Sequence, residues 1–154
     1  MIQRIGLFPG SFDPFTKGHE VVVRKSLSVF DEVIIGIGVN SQKKSMFSLD
    51  SRKSHIASLF SDSDNVRVLD FQKLTVEFCK DISATHIIRG LRNSQDFEYE
   101  KSIAHMNHAI SDIETVFFLT DPEFGAINST IIREIHRNGA TIDKFVQNAN
   151  ILVG

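Results

Sequence analysis

The sequence predicts an α/β fold with one doubly wound, parallel sheet of five strands, formed by a single domain. Five short runs rich in apolar and β-branched residues alternate with longer segments in which apolar residues recur at helical spacing. Parallel strands need crossover connections, and these are almost always right-handed and commonly helical. The chain has 154 residues, and no repeat or Pro/Gly-rich linker divides it, so we expect residues 1–154 to form one domain.

The predicted strands are each short enough to be buried within the sheet. They cover residues 2–8, 33–39, 66–71, 86–88 and 115–119. The predicted helices cover residues 19–30, 50–60 and 94–110, and a capping sequence at residues 128–130 predicts a further helix start. The short apolar tail at residues 148–154 is interpreted either as a final packing segment or as part of a subunit contact.

Composition describes an ordinary globular protein, with 42% hydrophobic and 23% charged residues. The net charge of −2 argues against a general nucleic-acid binder, which usually carries a basic excess. The single cysteine, Cys79, allows no internal disulfide, so the chain needs no oxidising compartment and a cytoplasmic location is expected. Its side chain is expected in the core. The chain opens on a strand-like run rather than a signal peptide, and no apolar run approaches the ~20 residues of a membrane span.

The most informative segment joins the first strand to the first helix. Residues 8–19 read F-P-G-S-F-D-P-F-T-K-G-H. Ligands of open α/β sheets bind beyond the carboxyl ends of the strands, where this loop is expected. Gly10 would let the backbone approach a phosphate, Gly18 would clear space at the helix start, and His19 would stand at a helix N-terminus that favours anions.

This loop resembles the signature G-x-F-D-x-x-[H/T]-x-G-H of the nucleotidyltransferase superfamily, whose fold is Rossmann-like. The form with Thr16 in the first slot is the one found in the phosphopantetheine adenylyltransferase family, whereas most other branches have His there. An isolated His19 would more often be a capping or core histidine. Within this motif the catalytic interpretation is favoured.

Three later segments extend the resemblance over about residues 4–137. Residues 41–47 resemble the family's N-x-x-K-x-x-x-F loop, and residues 88–100 resemble its I-R-G-L-R…D-[FY]-E-x-E segment. Residues 127–130 resemble its I-S-S-[ST] helix start. Each has a plainer alternative: Lys43 could lie in a solvated turn, Arg89 could form a structural pair with a glutamate, and residues 128–130 could act only as a helix cap.

The resemblance implies transfer of the AMP part of ATP to the phosphate of 4′-phosphopantetheine, giving dephospho-coenzyme A and pyrophosphate. The implied catalytic residues are His19, Lys43 and Arg89. The implied 4′-phosphopantetheine contacts are Ser11, Lys43, Thr75 and Arg89. The implied ATP contacts are Ser11, Phe12 through its amide, His19, Gly90, Leu91, Arg92, Glu100, Phe124, Gly125, Ala126, Ile127, Asn128, Ser129 and Thr130.

Departures from the family pattern occur at Ser11, where many relatives have Thr, at Asn128, which replaces a Ser, and at Phe124, where Trp is common. The resemblance also implies Mg²⁺ held mainly by the ATP phosphates, with no protein ligand assigned, a homohexamer formed partly through residues 94–110, and feedback binding of coenzyme A. A transferase acting on a nicotinamide nucleotide or a phosphorylated alcohol is the enzymic alternative. A nucleotide-binding sensor is the non-enzymic one.

Overall fold

The structure is a computed structural model that describes every residue from 1 to 154. Its strands are β1 (Ile5–Gly10), β2 (Glu32–Gly38), β3 (Val66–Phe71), β4 (His86–Leu91) and β5 (Glu114–Leu119). Its α-helices are α1 (Lys17–Ser26), α2 (Leu49–Leu59), α3 (Thr75–Asp81), α4 (Ser94–Ser111) and α5 (Ser129–Arg137). Two short 3₁₀ segments, Pro122–Phe124 and Ala149–Ile151, complete the regular structure.

The five strands form one parallel sheet in the order β3-β2-β1-β4-β5. The chain moves outward from β1 to β3 on one side and resumes at β4 on the other side of β1. The strand order therefore reverses between β1 and β4. Such a switch point leaves a crevice at the carboxyl ends of the two strands, where ligands of open α/β sheets bind.

Side chains alternate between the two faces of the sheet, as the period of a strand requires. On β1, Phe8 packs into a cluster with residues of α1 and α2, whereas Leu7 packs with residues of α3. Ile35 and Ile34 of β2 divide in the same way. Helices cover both faces, so the prediction of a doubly wound parallel sheet is confirmed.

The predicted elements are found, with different ends. Strand β1 begins at Ile5 rather than at residue 2, because Met1 and Ile2 lie exposed outside the sheet. Helix α1 ends at Ser26 rather than at residue 30, yet Phe30 still packs in the core from the following turn. Cys79 is buried on α3, and burial raises the pKa of its thiol to about 11, which agrees with the predicted core position.

The C-terminal segment packs against the body of the protein. Val146 and Leu152 join Phe47 and Ile132 in a third apolar cluster. The carbonyl oxygen of Val153 accepts hydrogen bonds from the Ser48 amide and the Ser51 hydroxyl, at 3.0 and 2.9 Å. Of the two interpretations of this tail, the structure shows the packing role. None of the helices combines the length and the apolar character needed to cross a membrane.

Candidate active site

Three cavities open at the carboxyl ends of the strands. Cavity A, of about 400 Å³, lies beside β1, β2 and β4 and is lined by residues that include Gly10, Val39, Phe71, Thr75, Arg89 and Asn107. Cavity B, of about 240 Å³, is lined by residues that include His19, Arg89, Gly90, Arg92, Phe124 and Thr130. Cavity C, of about 400 Å³, is lined by residues that include Ser11, Asp13, Lys43, Lys44, Arg133 and Arg137. Arg89 and Glu100 line both A and B, so the two cavities meet at this pair.

His19 is held at the start of α1 by a capping box. The Thr16 backbone N–H donates to Nδ1 of His19 at 2.9 Å, and the His19 amide donates to the Thr16 hydroxyl oxygen at 3.3 Å. Because a backbone N–H can only donate, Nδ1 is an acceptor and the proton of the neutral ring lies on Nε2. The site therefore offers an N–H donor on the free side of the ring.

The environment keeps this imidazole neutral. Its ring packs against Phe12 and Phe15, with ring centroids 5.1 and 5.3 Å away. Burial, reinforced by the positive charges of Arg89 and Arg92, lowers the pKa of His19 to about 3. A neutral ring suits a hydrogen-bond donor better than a general acid or base.

Arg89 is locked at the end of β4. Its Nε and Nη2 atoms donate to the two carboxylate oxygens of Glu100 at 2.8 and 2.7 Å, and Nη1 donates to the Pro9 carbonyl at 2.6 Å. Glu100 is only 7% exposed. Guanidinium has five N–H donors, so two remain for a ligand. The structural arginine–glutamate pair is therefore present, and its geometry is compatible with the binding interpretation.

A second arginine borders cavity B. Arg92 forms a two-pronged pair with Asp96 at 2.9 and 3.1 Å, and its Nη1 donates to the Ile127 carbonyl at 2.9 Å. These bonds connect the end of β4 to the segment that leads into α5. Gly90 also lines cavity B. Close packing requires glycine at this position, because a Cβ atom added there would lie 2.7 Å from the Val22 side chain.

The start of α5 forms another side of cavity B. The Asn128 side-chain oxygen accepts from the Thr130 and Ile131 amides at 2.8 and 3.3 Å. The Ser129 hydroxyl donates to the Pro14 carbonyl at 3.1 Å, which anchors this helix to the loop after β1. The capping role predicted for this sequence is confirmed, and the same residues line the cavity.

Lys43 and Ser11 lie in cavity C rather than beside Arg89. Both are exposed. Three further cations line the same cavity, namely Lys44, Arg133 and Arg137. The predicted pair of Lys43 and Arg89 therefore borders two different cavities, although Gly38 and Asn40 are common to cavities A and C.

Some predicted residues do not present side chains to the cavities. The Phe12 and Leu91 side chains are 3% and 7% exposed in the core, so only their backbone atoms can serve a ligand. Gly125 and Ala126 are not among the residues lining cavity B, whereas Phe124 and Ile127 are. At Gly10 an added Cβ would meet the Phe12 ring at 2.8 Å, so the glycine is needed there for packing as well as for access.

Several residues that line these cavities are not among the site residues predicted from the sequence. Asp13 lies within the loop of residues 8–19 and could have been selected from it, whereas Thr16 was identified only as a motif residue and also lines cavity B. Arg133 and Arg137 lie four residues apart on one face of α5. Two basic residues at this spacing are common on exposed helices, so the sequence gives no sign that they line a cavity. No three His, Cys, Asp or Glu side chains lie together in a way that could hold a metal ion.

Comparison with known proteins identifies the family of this chain. A family model described as cytidylyltransferase-like matches residues 7–135. The phosphopantetheine adenylyltransferase of Flavobacterium psychrophilum is 48% identical over 147 residues, which cover 96% of this chain and 97% of that protein. The phosphopantetheine adenylyltransferase of Cytophaga hutchinsonii is 49% identical over 94% of this chain and 97% of its own length.

Solved structures show the same fold. A putative nicotinate-nucleotide adenylyltransferase from Vibrio parahaemolyticus has a TM-score of 0.67 and 19% identity, with 97% of both chains covered. A bifunctional NMN adenylyltransferase/ADP ribose pyrophosphatase from Francisella tularensis, crystallised with AMP and a Mn ion, has a TM-score of 0.69 and 20% identity. The match covers 98% of this chain and 46% of that one. On its sequence, the chain belongs to the phosphopantetheine adenylyltransferases of the cytidylyltransferase-like nucleotidyltransferase family.

Proposed function

We propose that the chain transfers the adenylyl group of ATP to 4′-phosphopantetheine, giving dephospho-coenzyme A and pyrophosphate, as a step of coenzyme A biosynthesis. The observation that carries the proposal is the position of Arg89 at the junction of cavities A and B. A reaction between two phosphate-bearing substrates needs one fixed cation where their phosphates meet. Family membership supplies the identity of the two substrates.

ATP is assigned to cavity B. Arg92 and Thr130 would hold its phosphates at the start of α5, where free amides and the helix dipole favour an anion. Phe124 and Ile127 offer apolar surface to the adenine. The amides of Phe12 and Gly90 would donate to phosphate oxygens.

The acceptor is assigned to cavity A. Its apolar and polar lining, which includes Val39, Phe71 and Thr75, suits a pantetheine arm that carries amides on an alkyl chain. The acceptor phosphate would lie at the β1 end of this cavity, against Arg89. Lys43, on an exposed loop beside the shared residue Asn40, would close over the same phosphate.

The chemistry is an in-line displacement at the α-phosphorus of ATP. An oxygen of the acceptor phosphate forms the new P–O bond, and the bond to the bridging β-phosphate oxygen breaks, so pyrophosphate leaves with the electron pair. A phosphate monoester has a second pKa of ~6 and is mostly dianionic at neutral pH, so no protein base is needed. Positioning and charge stabilisation carry such transfers.

His19 would act as a fixed donor in this step. Its Nε2–H would bind an α-phosphate oxygen whose negative charge increases in the transition state. Lys43 and Arg89 would hold the acceptor phosphate and reduce its repulsion from the triphosphate. The neutral ring agrees with donation of a hydrogen bond rather than a full proton.

Mg²⁺ is proposed to enter with the triphosphate. Both carboxylates of cavity B, Asp96 and Glu100, are paired with arginines, so the cavity holds no free carboxylate cage. Mg²⁺ commonly relies on substrate phosphates and water for its coordination, and when bound it neutralises phosphate charge. We assign it no protein ligand.

Assembly, regulation and location complete the proposal. Helix α4 exposes an apolar set that would form a subunit interface of a homohexamer. These residues are Phe97, Tyr99, Ile103, Met106 and Ile110. Coenzyme A would act as a feedback inhibitor by binding in cavity A. The phosphate that distinguishes it from dephospho-coenzyme A would lie toward the cations of cavity C. The buried, unpaired thiol of Cys79 suits the reducing cytoplasm.

The direct test is product identification. The protein is incubated with ATP, Mg²⁺ and 4′-phosphopantetheine, and the products are resolved by mass spectrometry. We expect dephospho-coenzyme A and pyrophosphate in equal amounts. ATP consumption that yields ADP or AMP without an adenylylated acceptor would contradict the proposal. Light scattering of the same sample tests the hexamer, and a monomer at micromolar concentration would reject it.

A further inference from the structure

One buried cation, Arg52, lies behind the loop that follows β1. Arg52 of α2 is 4% exposed, and both of its hydrogen bonds go to backbone carbonyls rather than to a carboxylate. Its Nη1 donates to the Ser11 carbonyl at 2.6 Å, and its Nε donates to the Phe47 carbonyl at 3.0 Å. The nearby Asp13 carboxylate forms no hydrogen bond with Arg52, but its charge offsets part of the cost of burying the guanidinium, whose pKa burial still lowers. A buried charge whose hydrogen bonds all go to neutral carbonyls remains costly, so the position calls for a reason.

The first bond fixes the peptide unit between Ser11 and Phe12. In a planar trans peptide the carbonyl and the N–H point in opposite directions, so a carbonyl turned inward to Arg52 leaves the Phe12 N–H facing the other way. No protein group accepts a hydrogen bond from that N–H. Phe12 has a φ of 46°, in the left-handed region, while its side chain is anchored in the core.

The charge on Arg52 also changes the strength of this donor. A cation bound to the carbonyl polarises the whole peptide unit, because linked hydrogen bonds reinforce one another. The Phe12 N–H therefore becomes a better donor to an anion. Left-handed backbone with an outward amide is a common way for loops to bind phosphate.

The second bond joins this loop to the loop that carries Lys43. The Asp13 carboxylate accepts from the Met46 and Phe47 amides at 2.8 and 3.0 Å, and Arg52 takes the Phe47 carbonyl. Asp13 is itself 7% exposed. Two buried charged side chains thus fix the end of the Lys43 loop against the loop after β1.

We infer that Arg52 is a positioning residue of the transfer site, which holds the Phe12 amide outward for phosphate and sets the Lys43 loop beside it. The expected effect of Arg52 on kcat rests on the proposed adenylyl transfer. The orientation of the Phe12 amide by Arg52 requires only that the protein binds ATP. Arg52 touches no substrate and acts through the Ser11–Phe12 peptide and the Phe47 carbonyl.

The test compares Arg52→Gln with Arg52→Lys and with the exposed control Arg67→Gln. Circular dichroism first establishes which variants are folded. We expect Arg52→Gln to lower kcat by ~10²-fold, as a displacement of about 1 Å can do, with Arg52→Lys intermediate and Arg67→Gln unchanged. If Arg52→Gln does not fold, Arg52→Lys carries the comparison, because it keeps the charge but can serve only one carbonyl well.

A second measurement reads the amide itself. In ¹⁵N-labelled parent protein, ATP should shift the Phe12 amide proton downfield, and this shift should be much smaller in the Arg52 variants. A kcat within threefold of the parent, or a Phe12 shift equal to that of the parent, would overturn the inference. If the parent makes no dephospho-coenzyme A, the proposed function fails, while the ATP-induced shift still decides the role of Arg52.

Discussion

Nδ1 of His19 accepts a hydrogen bond from the Thr16 backbone N–H at 2.9 Å, so one ring nitrogen caps α1 and the other is left to donate. This division separates the structural role of the side chain from the catalytic role proposed for it. A substitution that removes only the free donor, compared with one that removes both roles, can therefore distinguish them.

His19→Asn and His19→Ala form such a pair. Asparagine can still accept from the Thr16 amide but places no donor where Nε2 lies, whereas alanine removes both functions. We expect both variants to lose at least ~10²-fold in turnover, because one donor to a developing oxyanion typically contributes that much. Calorimetry should show a smaller change in ATP affinity, and His19→Asn should retain more thermal stability. Rates within threefold of the parent would show that His19 only caps the helix.

Glu100→Gln tests the lock on Arg89. The variant keeps the shape but removes the charge that holds the guanidinium, so Arg89 should lose its fixed orientation between cavities A and B. We expect a raised KM for 4′-phosphopantetheine, lower kcat, and a loss of about 1–3 kcal/mol in the free energy of unfolding. The exposed neighbour Glu98→Gln is the control. Parent-like kinetics for Glu100→Gln would show that Arg89 needs no partner.

Lys43→Ala and Arg89→Ala test the division of the site into two halves. Both residues are assigned to the acceptor phosphate and Arg92 to ATP. The two variants should raise the KM for 4′-phosphopantetheine by at least ~10-fold and lower turnover, because desolvated contacts between charges commonly contribute ~2–5 kcal/mol. ATP binding, measured alone by calorimetry, should change far less, and Arg92→Ala should do the reverse. Loss of ATP binding with intact acceptor binding would reverse the assignment of the cavities.

The stability of the ligand-free protein should depend on two histidines. Burial lowers the pKa of His55, only partly offset by its hydrogen bond to the Gln147 carbonyl at 2.7 Å, and His19 has a pKa of about 3. Both take up protons more readily when unfolded, where the pKa is about 6.5. The contribution of these two histidines to the free energy of unfolding is therefore fully present above that pKa and is lost as the pH falls below it.

Urea unfolding between about pH 5 and about pH 7, a window in which carboxylates titrate little, measures this dependence. His55→Gln keeps a donor to Gln147 but cannot titrate, so the slope of unfolding free energy against pH should decrease. His136→Gln, at an exposed position, is the control. An unchanged slope in His55→Gln would show that His55 is not neutral in the folded protein.

The sheet and the position of the loop of residues 8–19 between β1 and α1 can be predicted from the sequence, because both depend on local patterns. It misses what long-range pairing decides. The apolar run predicts a strand that ends at residue 88, yet β4 continues through Arg89 and Gly90 to Leu91 by pairing with β5, although glycine is unfavourable in strands. The separation of Lys43 from Arg89 into different cavities depends on loop paths that no periodicity records.

Arg52 illustrates the same limit. On a helix, one arginine among Ser51, Lys53 and Ser54 looks like part of a solvated face. Its burial depends on carbonyls of two loops, one of them 41 residues away in sequence. Only the folded arrangement shows that this charge is directed inward.

Acceptor preference is the sharpest test of whether this enzyme adenylylates 4′-phosphopantetheine. The measurement is kcat/KM for 4′-phosphopantetheine and for nicotinamide and nicotinate mononucleotides, at saturating ATP and Mg²⁺, by continuous detection of pyrophosphate. We expect rapid pyrophosphate release with 4′-phosphopantetheine and a kcat/KM at least ~10³-fold above that for either mononucleotide, because cavity A suits a flexible amide-bearing arm rather than a ribosylated ring. An equal or greater kcat/KM for a mononucleotide would show that 4′-phosphopantetheine is not the preferred acceptor.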